Sequence, residues 1–218
     1  MSKYKGIIFD LDGTLLNTID DLSDSVNEVI SSYGYPKHCT DSYKMKIGRG
    51  FRDLIENSFP KGTQEKIIND GLQLFMEIYG TKYMNKTTPY SGIDRLLDNL
   101  NNRDFKIGVN SNKRTEYAKQ LITKFFKRIP FVEIFGERES VPKKPDPAAA
   151  LEIAELMQLL PQEILYVGDS KTDILTAKNA RMDSIGVLWG FTSYEKLSKY
   201  NATYMVSNSE EILAIATN

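Results

Sequence analysis

Short apolar runs alternate with helical patterns along most of this chain of 218 residues, and the alternation limits the folds that it can adopt. The runs end in polar or glycine-containing turns and occupy residues 6–9, 105–109, 131–135, 164–167 and 184–188, with a weaker one at 204–206. Runs of this length between polar turns are typical of buried strands. Between two of them, apolar side chains recur at helical spacing from Ile93 to Leu100. The pattern predicts a three-layer α/β core with a largely parallel sheet.

The segment between the first and second runs is too long for a single crossover helix. From about residue 16 to residue 89, its apolar residues follow helical spacing throughout. We therefore expect an inserted all-helical module with hinges near residues 15–17 and 86–90. The predicted division is a Rossmann-like core of residues 1–15 and 88–218 and a helical insertion of residues 16–87.

Composition argues against several classes of partner and location. The formal net charge is −1, without the basic excess that nucleic-acid-binding proteins usually carry. The apolar run before Asp10 is too short for a signal peptide, and no later run approaches the length of a membrane span. Cys39 is the single cysteine, which fits a reducing compartment. We expect a cytoplasmic protein, monomeric or homodimeric, without nucleic-acid or membrane partners.

Two acidic residues follow the first predicted strand directly. Asp10 and Asp12 stand two residues apart at its carboxyl end, and Gly13 comes next. In a parallel sheet, ligands bind in the crevice beyond the carboxyl ends of the strands. Carboxylates at this spacing can lie beside one bound cation, and Gly13 permits a sharp turn with close approach to a ligand.

Three further strand ends carry hydroxyl, amide, ammonium and carboxylate groups. They are Ser111, Asn112 and Lys113 after the second core strand, Lys144 after the third, and Asp169 and Asp173 after the fourth. The predicted topology brings these remote segments to one edge of the sheet. Oxygen ligands from Asp10 and Asp169, without a cluster of histidine or cysteine, favour Mg²⁺ over a transition metal.

This set of groups suits phosphoryl transfer. Asp10 is expected to attack phosphorus in line and to form an aspartyl-phosphate. Asp12 is expected to protonate the leaving oxygen and then to take a proton from the hydrolytic water. Mg²⁺ and Lys144 would neutralise the negative charge of the phosphate, and Ser111 with backbone N–H groups would hold its oxygens.

The same residues resemble the haloacid dehalogenase superfamily of phosphatases. Four ordered motifs carry a resemblance that covers nearly the whole chain: Asp10-Leu11-Asp12-Gly13-Thr14-Leu15, then Ser111, then Lys144-Pro145, then Gly168-Asp169 with Asp173. The resemblance implies that Asp10 is the nucleophile and Asp12 the acid and base. It also implies metal ligation by Asp10, the Asp12 carbonyl and Asp169, with support from Asp173. The helical insertion would be the mobile cap domain of this family.

Within the superfamily, the chain looks most similar to the phosphoglycolate phosphatase group. The similar segments are residues 10–21, 112–113, 144–147 and 186–191. The expected substrate is therefore a small phosphorylated metabolite, with 2-phosphoglycolate as the first candidate. Its expected contacts are Gly13, Thr14, Asn112 and Lys113. Arg49 is a further expected contact, because its flanking glycines permit a tight cap loop and its guanidinium can bind a carboxylate with two hydrogen bonds.

Other functions stay open on the sequence alone. The same group includes pyrophosphatases and broad sugar-phosphate phosphatases, and a β-phosphoglucomutase-like enzyme would share the core and the cap. Thr14, in place of the branched apolar residue usual in such mutases, favours hydrolysis. A non-enzymatic phosphoacceptor module or binding protein is a more distant alternative. The long insertion argues against the first of these, and the complete set of catalytic residue types argues against the second.

Overall fold

Parallel strands form the centre of the structure, a computed structural model that describes residues 2–218. In chain order the strands are β1 Gly6–Phe9, β2 Leu16–Asn17, β3 Thr88–Pro89, β4 Lys106–Arg114, β5 Phe131–Glu137, β6 Ile164–Gly168, β7 Asp183–Val187 and β8 Tyr204–Val206. Six of these form one parallel sheet in the order β5-β4-β1-β6-β7-β8, and β2 pairs with β3 in a separate antiparallel ribbon. The predicted parallel sheet is confirmed, including the weak run at its edge.

Helices pack against the sheet and fill the long insertion. In chain order they are α1 Ile19–Ser32, α2 Thr40–Tyr43, α3 Phe51–Glu56, α4 Glu65–Lys82, α5 Ile93–Asn101, α6 Thr115–Phe125, α7 Ala148–Met157, α8 Lys171–Ala180, α9 Tyr194–Leu197 and α10 Ser209–Thr217. The predicted helix after β3 is confirmed as α5, whose apolar stripe is buried. Within residues 2–218, none of the helices combines the length and the apolar character that crossing a membrane requires.

Strand β1 lies inside the sheet with both of its faces covered. Ile7 and Phe9 belong to one hydrophobic cluster, and Ile8 belongs to another. Successive side chains of a strand point to opposite faces, so the two clusters occupy the two sides of the sheet. Burial on both faces explains why the sequence shows a continuous apolar run here instead of an alternating one.

Helices α1 to α4 lie between β2 and β3 and form their own apolar cluster. Phe51, Phe75 and Tyr79 are buried in it, and their ring centroids are 5.0–5.3 Å apart. The structure therefore confirms a Rossmann-like parallel core with an inserted group of helices. We propose that residues 1–15 and 88–218 are the catalytic core and that residues 16–87 are the cap domain.

The chain enters and leaves the helical insertion through the paired strands β2 and β3. Beside them, the buried carboxylate of Asp21 in the first turn of α1 accepts hydrogen bonds from the returning segment. The donors are the N–H of Lys86 and both the N–H and the hydroxyl of Thr87, at 2.8–3.0 Å. The two connections, which lie at the predicted hinges, are thus joined to each other.

Strand β4 is longer than the sequence indicates. The apolar run ends near residue 109, but the strand continues to Arg114 with an irregularity after Asn110. The side chains of residues 110–113 are polar, and they are nevertheless buried. Asn112, for example, exchanges hydrogen bonds with the backbone of Lys144. Because long-range partners satisfy the amide of Asn112, this polar residue can continue the strand inside the sheet.

Candidate active site

Segments that follow the strands bring four ionisable side chains together. Asp10 directly follows β1, and its N–H donates to the carbonyl of Val167 at 2.8 Å, which extends the pairing with β6. Asp169 directly follows β6, Asp173 lies in the first turn of α8, and Lys144 lies in the loop after β5. All four ionisable side chains are buried. The structure therefore brings the two predicted acids and the lysine to the predicted edge of the sheet, beside Asp10.

The Lys144 ammonium bridges two of the carboxylates. Its Nζ lies 2.7 Å from Oδ1 of Asp10 and 2.7 Å from Oδ1 of Asp173. Burial alone would lower the pKa of Lys144, but the charges of these two carboxylates outweigh burial and raise the pKa well above its ordinary range. Lys144 is therefore a fixed positive charge beside Asp10.

Three carboxylates form a compact acidic cluster. One oxygen from each of Asp10, Asp169 and Asp173 lies within 4.8 Å of the others. Burial, and then the charge of Asp173, raises the pKa of Asp10 to about 7. Burial and the neighbouring carboxylates also raise the pKa of Asp169. A bound cation relieves such repulsion, and a donor set made only of carboxylates fits a hard divalent cation.

The carboxylate of Asp12 lies outside this cluster. The hydroxyl of Thr18 donates to it at 2.6 Å, and the Nζ of Lys113 lies 2.9 Å and 3.2 Å from its two oxygens. Thr18 and Lys113 are both buried, and Asp12 itself lines a pocket. A carboxylate that is fixed beside a pocket, yet apart from the acidic cluster, can exchange a proton with a bound ligand.

Ser111 and Asn112 extend the site from β4. Ser111 lines the same pocket, and its Oγ accepts the N–H of Lys113 at 3.1 Å. The Oδ1 of Asn112 accepts the N–H of Lys144 at 3.0 Å, and its Nδ2 donates to the carbonyl of Gly48 at 2.8 Å. The Asn112 amide therefore connects the loop of Lys144 to the helical insertion.

The family follows from comparison with known proteins. The family model described as haloacid dehalogenase-like hydrolase matches residues 7–187 of the chain. That range includes β1 without its first residue, β2 through β7, and every acidic residue of the cluster. The chain belongs to the haloacid dehalogenase-like hydrolases.

Relatives of this hydrolase are named phosphoglycolate phosphatase. The chain is 29% identical to the one from Psychrobacter arcticus over 204 residues, which are 90% of this chain and 89% of the relative. It is 29% identical to the one from Aquifex aeolicus over 217 residues, 97% and 96% of the two chains. A crystal structure from Lactobacillus delbrueckii, provisionally described as a phosphoglycolate phosphatase, has a TM-score of 0.94 over 100% of both chains at 29% identity. The predicted phosphatase class is confirmed.

The pocket of this phosphatase has a volume of about 40 Å³ and lies between the sheet edge and the helical insertion. The core lines it with Asp10, Asp12, Ser111, Asn112, Lys113, Lys144, Asp169, Ser170, Phe191 and Thr192. The insertion lines it with Leu22, Lys44, Ile47, Gly48, Gly50, Phe51 and Leu54. Both regions therefore determine which ligand the phosphatase admits.

Three of the predicted substrate contacts do not line this pocket. Arg49 is exposed, although the glycines on either side of it do line the pocket. The hydroxyl of Thr14 is buried and has no hydrogen-bond partner within residues 2–218. Gly13 has a φ of 88°, and a Cβ there would lie 2.6 Å from Oδ2 of Asp169. Gly13 therefore permits close approach of Asp169, which itself lines the pocket.

The loop after β7 contributes contacts that the motifs do not predict. The N–H of Phe191 donates to Oδ2 of Asp169 at 2.7 Å. A Cβ at Gly190 would overlap the Asp169 side chain and would lie 2.5 Å from the carbonyl oxygen of Gly13. Only glycine fits between these two loops. Gly190 belongs to the segment 186–191 that carries the resemblance, but the sequence alone does not place it beside Asp169.

Proposed function

We propose that this phosphatase hydrolyses a small phosphomonoester through an aspartyl-phosphate on Asp10, with 2-phosphoglycolate as the best candidate substrate and Mg²⁺ as the metal. The geometry of Asp10 carries the proposal. Lys144 holds one of its carboxylate oxygens at 2.7 Å, and the other has no hydrogen-bond partner within residues 2–218 while Asp10 lines the pocket. A carboxylate that a fixed cation orients towards a pocket is suited to attack phosphorus.

The acidic cluster supports a resident Mg²⁺. Asp10, Asp169 and the backbone carbonyl of Asp12 are the proposed ligands, and Asp173 supports them. Carboxylate and carbonyl oxygens are the donors that this ion prefers. The ion would supply positive charge that offsets the charge of the phosphoryl group and of the attacking carboxylate.

The proposed reaction has two steps. In the first, a carboxylate oxygen of Asp10 bonds to phosphorus, the ester P–O bond breaks, and Asp12 gives a proton to the leaving oxygen. In the second, Asp12 takes a proton from water as the water oxygen attacks phosphorus, and the bond between phosphorus and Asp10 breaks. Inorganic phosphate leaves, and both carboxyl groups return to their starting states. Lys144 and Ser111 are proposed to hold the phosphoryl oxygens in both steps.

The pocket supports a small anionic substrate. Its wall combines the ammonium groups of Lys44, Lys113 and Lys144 with apolar side chains of the insertion, and this combination suits a phosphate group with a short remainder. Lys44 lines the pocket from the insertion and pairs with Asp41 at 2.8 Å. Its ammonium can instead pair with a carboxylate of the substrate, as 2-phosphoglycolate requires. The names of the relatives support the same substrate.

Phosphate release from a panel of substrates tests the proposal. The panel contains 2-phosphoglycolate, pyrophosphate, sugar phosphates and nucleoside monophosphates, each with Mg²⁺ and with a chelator, and Asp10→Asn serves as the blank. We expect a clear preference for 2-phosphoglycolate and no release with the chelator. A preference for pyrophosphate, or similar rates on all compounds, would agree with the proposed phosphatase reaction but would reject 2-phosphoglycolate as the substrate. No release from any compound by a folded protein would reject the function.

A further inference from the structure

The ammonium of Lys113 lies between the catalytic core and the helical insertion. Its side chain is fully buried, with 0% of its surface exposed. On one side, its Nζ is 2.9 Å from the nearer carboxylate oxygen of Asp12. On the other, it faces the rings of Phe51 and Tyr79, with centroids 5.5 Å and 5.1 Å away. Lys113 therefore contacts the proposed acid of the core and two aromatic residues of the insertion.

The burial of the Lys113 ammonium depends on contacts from both the core and the insertion. A buried ammonium is costly unless it is paired, and Asp12 supplies the opposite charge. Aromatic faces attract cations most strongly where water is excluded. Asp12 and Lys113 belong to the sheet edge, whereas the two rings belong to α3 and α4. If the insertion moves away, water therefore reaches Lys113 and the carboxylate that it holds.

Two further contacts indicate that this segment responds to the insertion. The neighbouring Asn112 donates to the carbonyl of Gly48 in the loop before α3, at 2.8 Å. The Nζ of Lys113 lies over the ring of Tyr79, whose buried hydroxyl has no hydrogen-bond partner in residues 2–218. Residues 112–113 thus contact the insertion through a backbone carbonyl and through aromatic faces.

We propose that Lys113 is a positioning residue, which fixes the Asp12 carboxylate for proton transfer only while Phe51 and Tyr79 cover it. The inference rests on the proposed function, because it takes Asp12 as the acid and base. Lys113 and the hydroxyl of Thr18 together hold the Asp12 carboxylate from two directions. Closure of the cap would complete that support and would confine proton transfer to the closed enzyme. Lys113 then acts through Asp12, instead of binding the phosphate as the sequence suggests.

Kinetic constants of Lys113 variants separate positioning from substrate binding. Lys113→Met should lower kcat by about a hundredfold and leave KM within about twofold, since general acid–base catalysis is lost and binding is kept. Lys113→Arg keeps a cation that can face the rings and should recover at least about a tenth of the kcat of the wild type. A KM that rises tenfold with kcat unchanged would make Lys113 a substrate contact and would overturn the proposal.

The leaving group provides a second readout. Acetyl phosphate releases acetate, which leaves as a stable anion and needs no proton from Asp12. In single turnovers, Lys113→Met should slow release of acetate from acetyl phosphate by less than about threefold. It should slow release of the leaving alcohol from the preferred alkyl phosphate, such as 2-phosphoglycolate, by about a hundredfold. If Lys113→Met loses the same factor on both compounds while the wild type hydrolyses them, the positioning role of Lys113 is overturned but the proposed function is not. Inactivity of the wild type on both compounds would instead reject the proposed function and this inference with it.

Ring substitutions test the contact with the insertion. Tyr79→Phe keeps the ring and should leave kcat unchanged, whereas Tyr79→Leu should lower it about tenfold. In the Lys113→Met background, Tyr79→Leu should have no further effect, because coupled residues are not additive. Phe59→Leu removes another buried ring of the same cluster and is the matched control for lost packing. The proposed coupling between Tyr79 and Lys113 would be overturned if the two substitutions lowered kcat independently, so that their factors multiply. An equal loss of kcat in Phe59→Leu would overturn it as well.

Discussion

The sheet edge and the helical insertion contribute to the same pocket in different ways. The sheet edge supplies charge, since Lys144 is buried between Asp10 and Asp173 with both ion pairs at 2.7 Å. The insertion supplies mostly apolar side chains, such as Leu54 and Phe51, and these are anchored in its own aromatic core. One region is held by electrostatic pairing and the other by packing.

The two regions should therefore respond differently to substitution. Removing one partner of a buried charge pair leaves the other uncompensated, which is strongly unfavourable. An apolar lining tolerates exchange of side chains when volume is kept, because neighbouring groups repack. We expect changes at the sheet edge to abolish turnover, and changes in the insertion to alter substrate preference.

Replacing Asp10 tests the chemical side of this comparison and has the largest expected effect. Asp10→Asn should lower kcat by at least about four orders of magnitude, because an amide is not the required nucleophile. Phosphate release measures the loss, and circular dichroism should show an unchanged fold. Asp98→Asn, on the exposed side of α5, is the matched control and should keep full activity. Activity of Asp10→Asn within tenfold of wild type would place the nucleophile elsewhere.

Replacing Asp169 separates the cation from the nucleophile. At about 100 times its Kd, Mg²⁺ should raise the Tm of the wild type by about 5–10 °C. Asp169→Asn should lose most of this shift and at least about a hundredfold in kcat/KM, because a ligand to the ion is lost. Thermal melts with Mg²⁺ and with a chelator measure the shift without relying on activity. The same shift in both proteins would remove Asp169 from the metal site.

A pair of substitutions in one loop tests the insertion. Lys44→Ala should raise KM for 2-phosphoglycolate about three- to tenfold with little change in kcat, because a charge-assisted contact to the carboxylate is lost. Arg49→Ala should change KM by less than about twofold, since this side chain is exposed outside the pocket. Initial rates over a range of substrate concentration distinguish the two. The opposite result would restore Arg49 as the carboxylate contact expected from the sequence.

The smallest expected effect is on the thermal stability of the protein, measured with a chelator that removes bound metal. The pKa of Asp10 is raised from its ordinary value of 3.8 to about 7, so between these values the folded protein keeps a proton that the unfolded chain has released. The contribution of this proton to the free energy of unfolding is therefore largest at low pH, and it is lost as the pH rises through about 7. The Tm of the wild type should therefore fall more steeply than that of Asp10→Asn between about pH 5 and about pH 8. Parallel melting curves would contradict the raised pKa.

The fold of the core was predictable because local patterns and topology agree. The apolar run at β1 and the stripe from Ile93 to Leu100 report burial directly, and each became the expected element. Asp10 and Asp169 meet because β1 and β6 are neighbours in the sheet. The extent of β4 was not predictable, since the partners that let Asn112 remain in the strand lie far away in sequence.

The part of the site that depends on the insertion was harder to predict. Lys44 and Arg49 are cationic residues five positions apart, and only packing of the helices decides that Lys44 lines the pocket. The aromatic faces around Lys113 come from two helices that the sequence does not relate to it. Gly190 approaches Asp169 from the loop after β7, a proximity that depends on the neighbouring strands. The spacing of the motifs predicts which residues take part in the reaction, but it does not predict these contacts, because they form between segments that only the folded chain brings together.

The ribbon of β2 and β3 makes the helical insertion a replaceable part. Because the two strands pair side by side, the insertion begins and ends about 5 Å apart. Any other helical segment with ends at this separation could be joined at the same ribbon without changing the register of the six-stranded sheet. An enzyme built in this way can acquire a new substrate by exchange of one continuous stretch of its gene, while Asp10, Asp169 and Asp173 stay in place, provided that the new segment again covers Lys113.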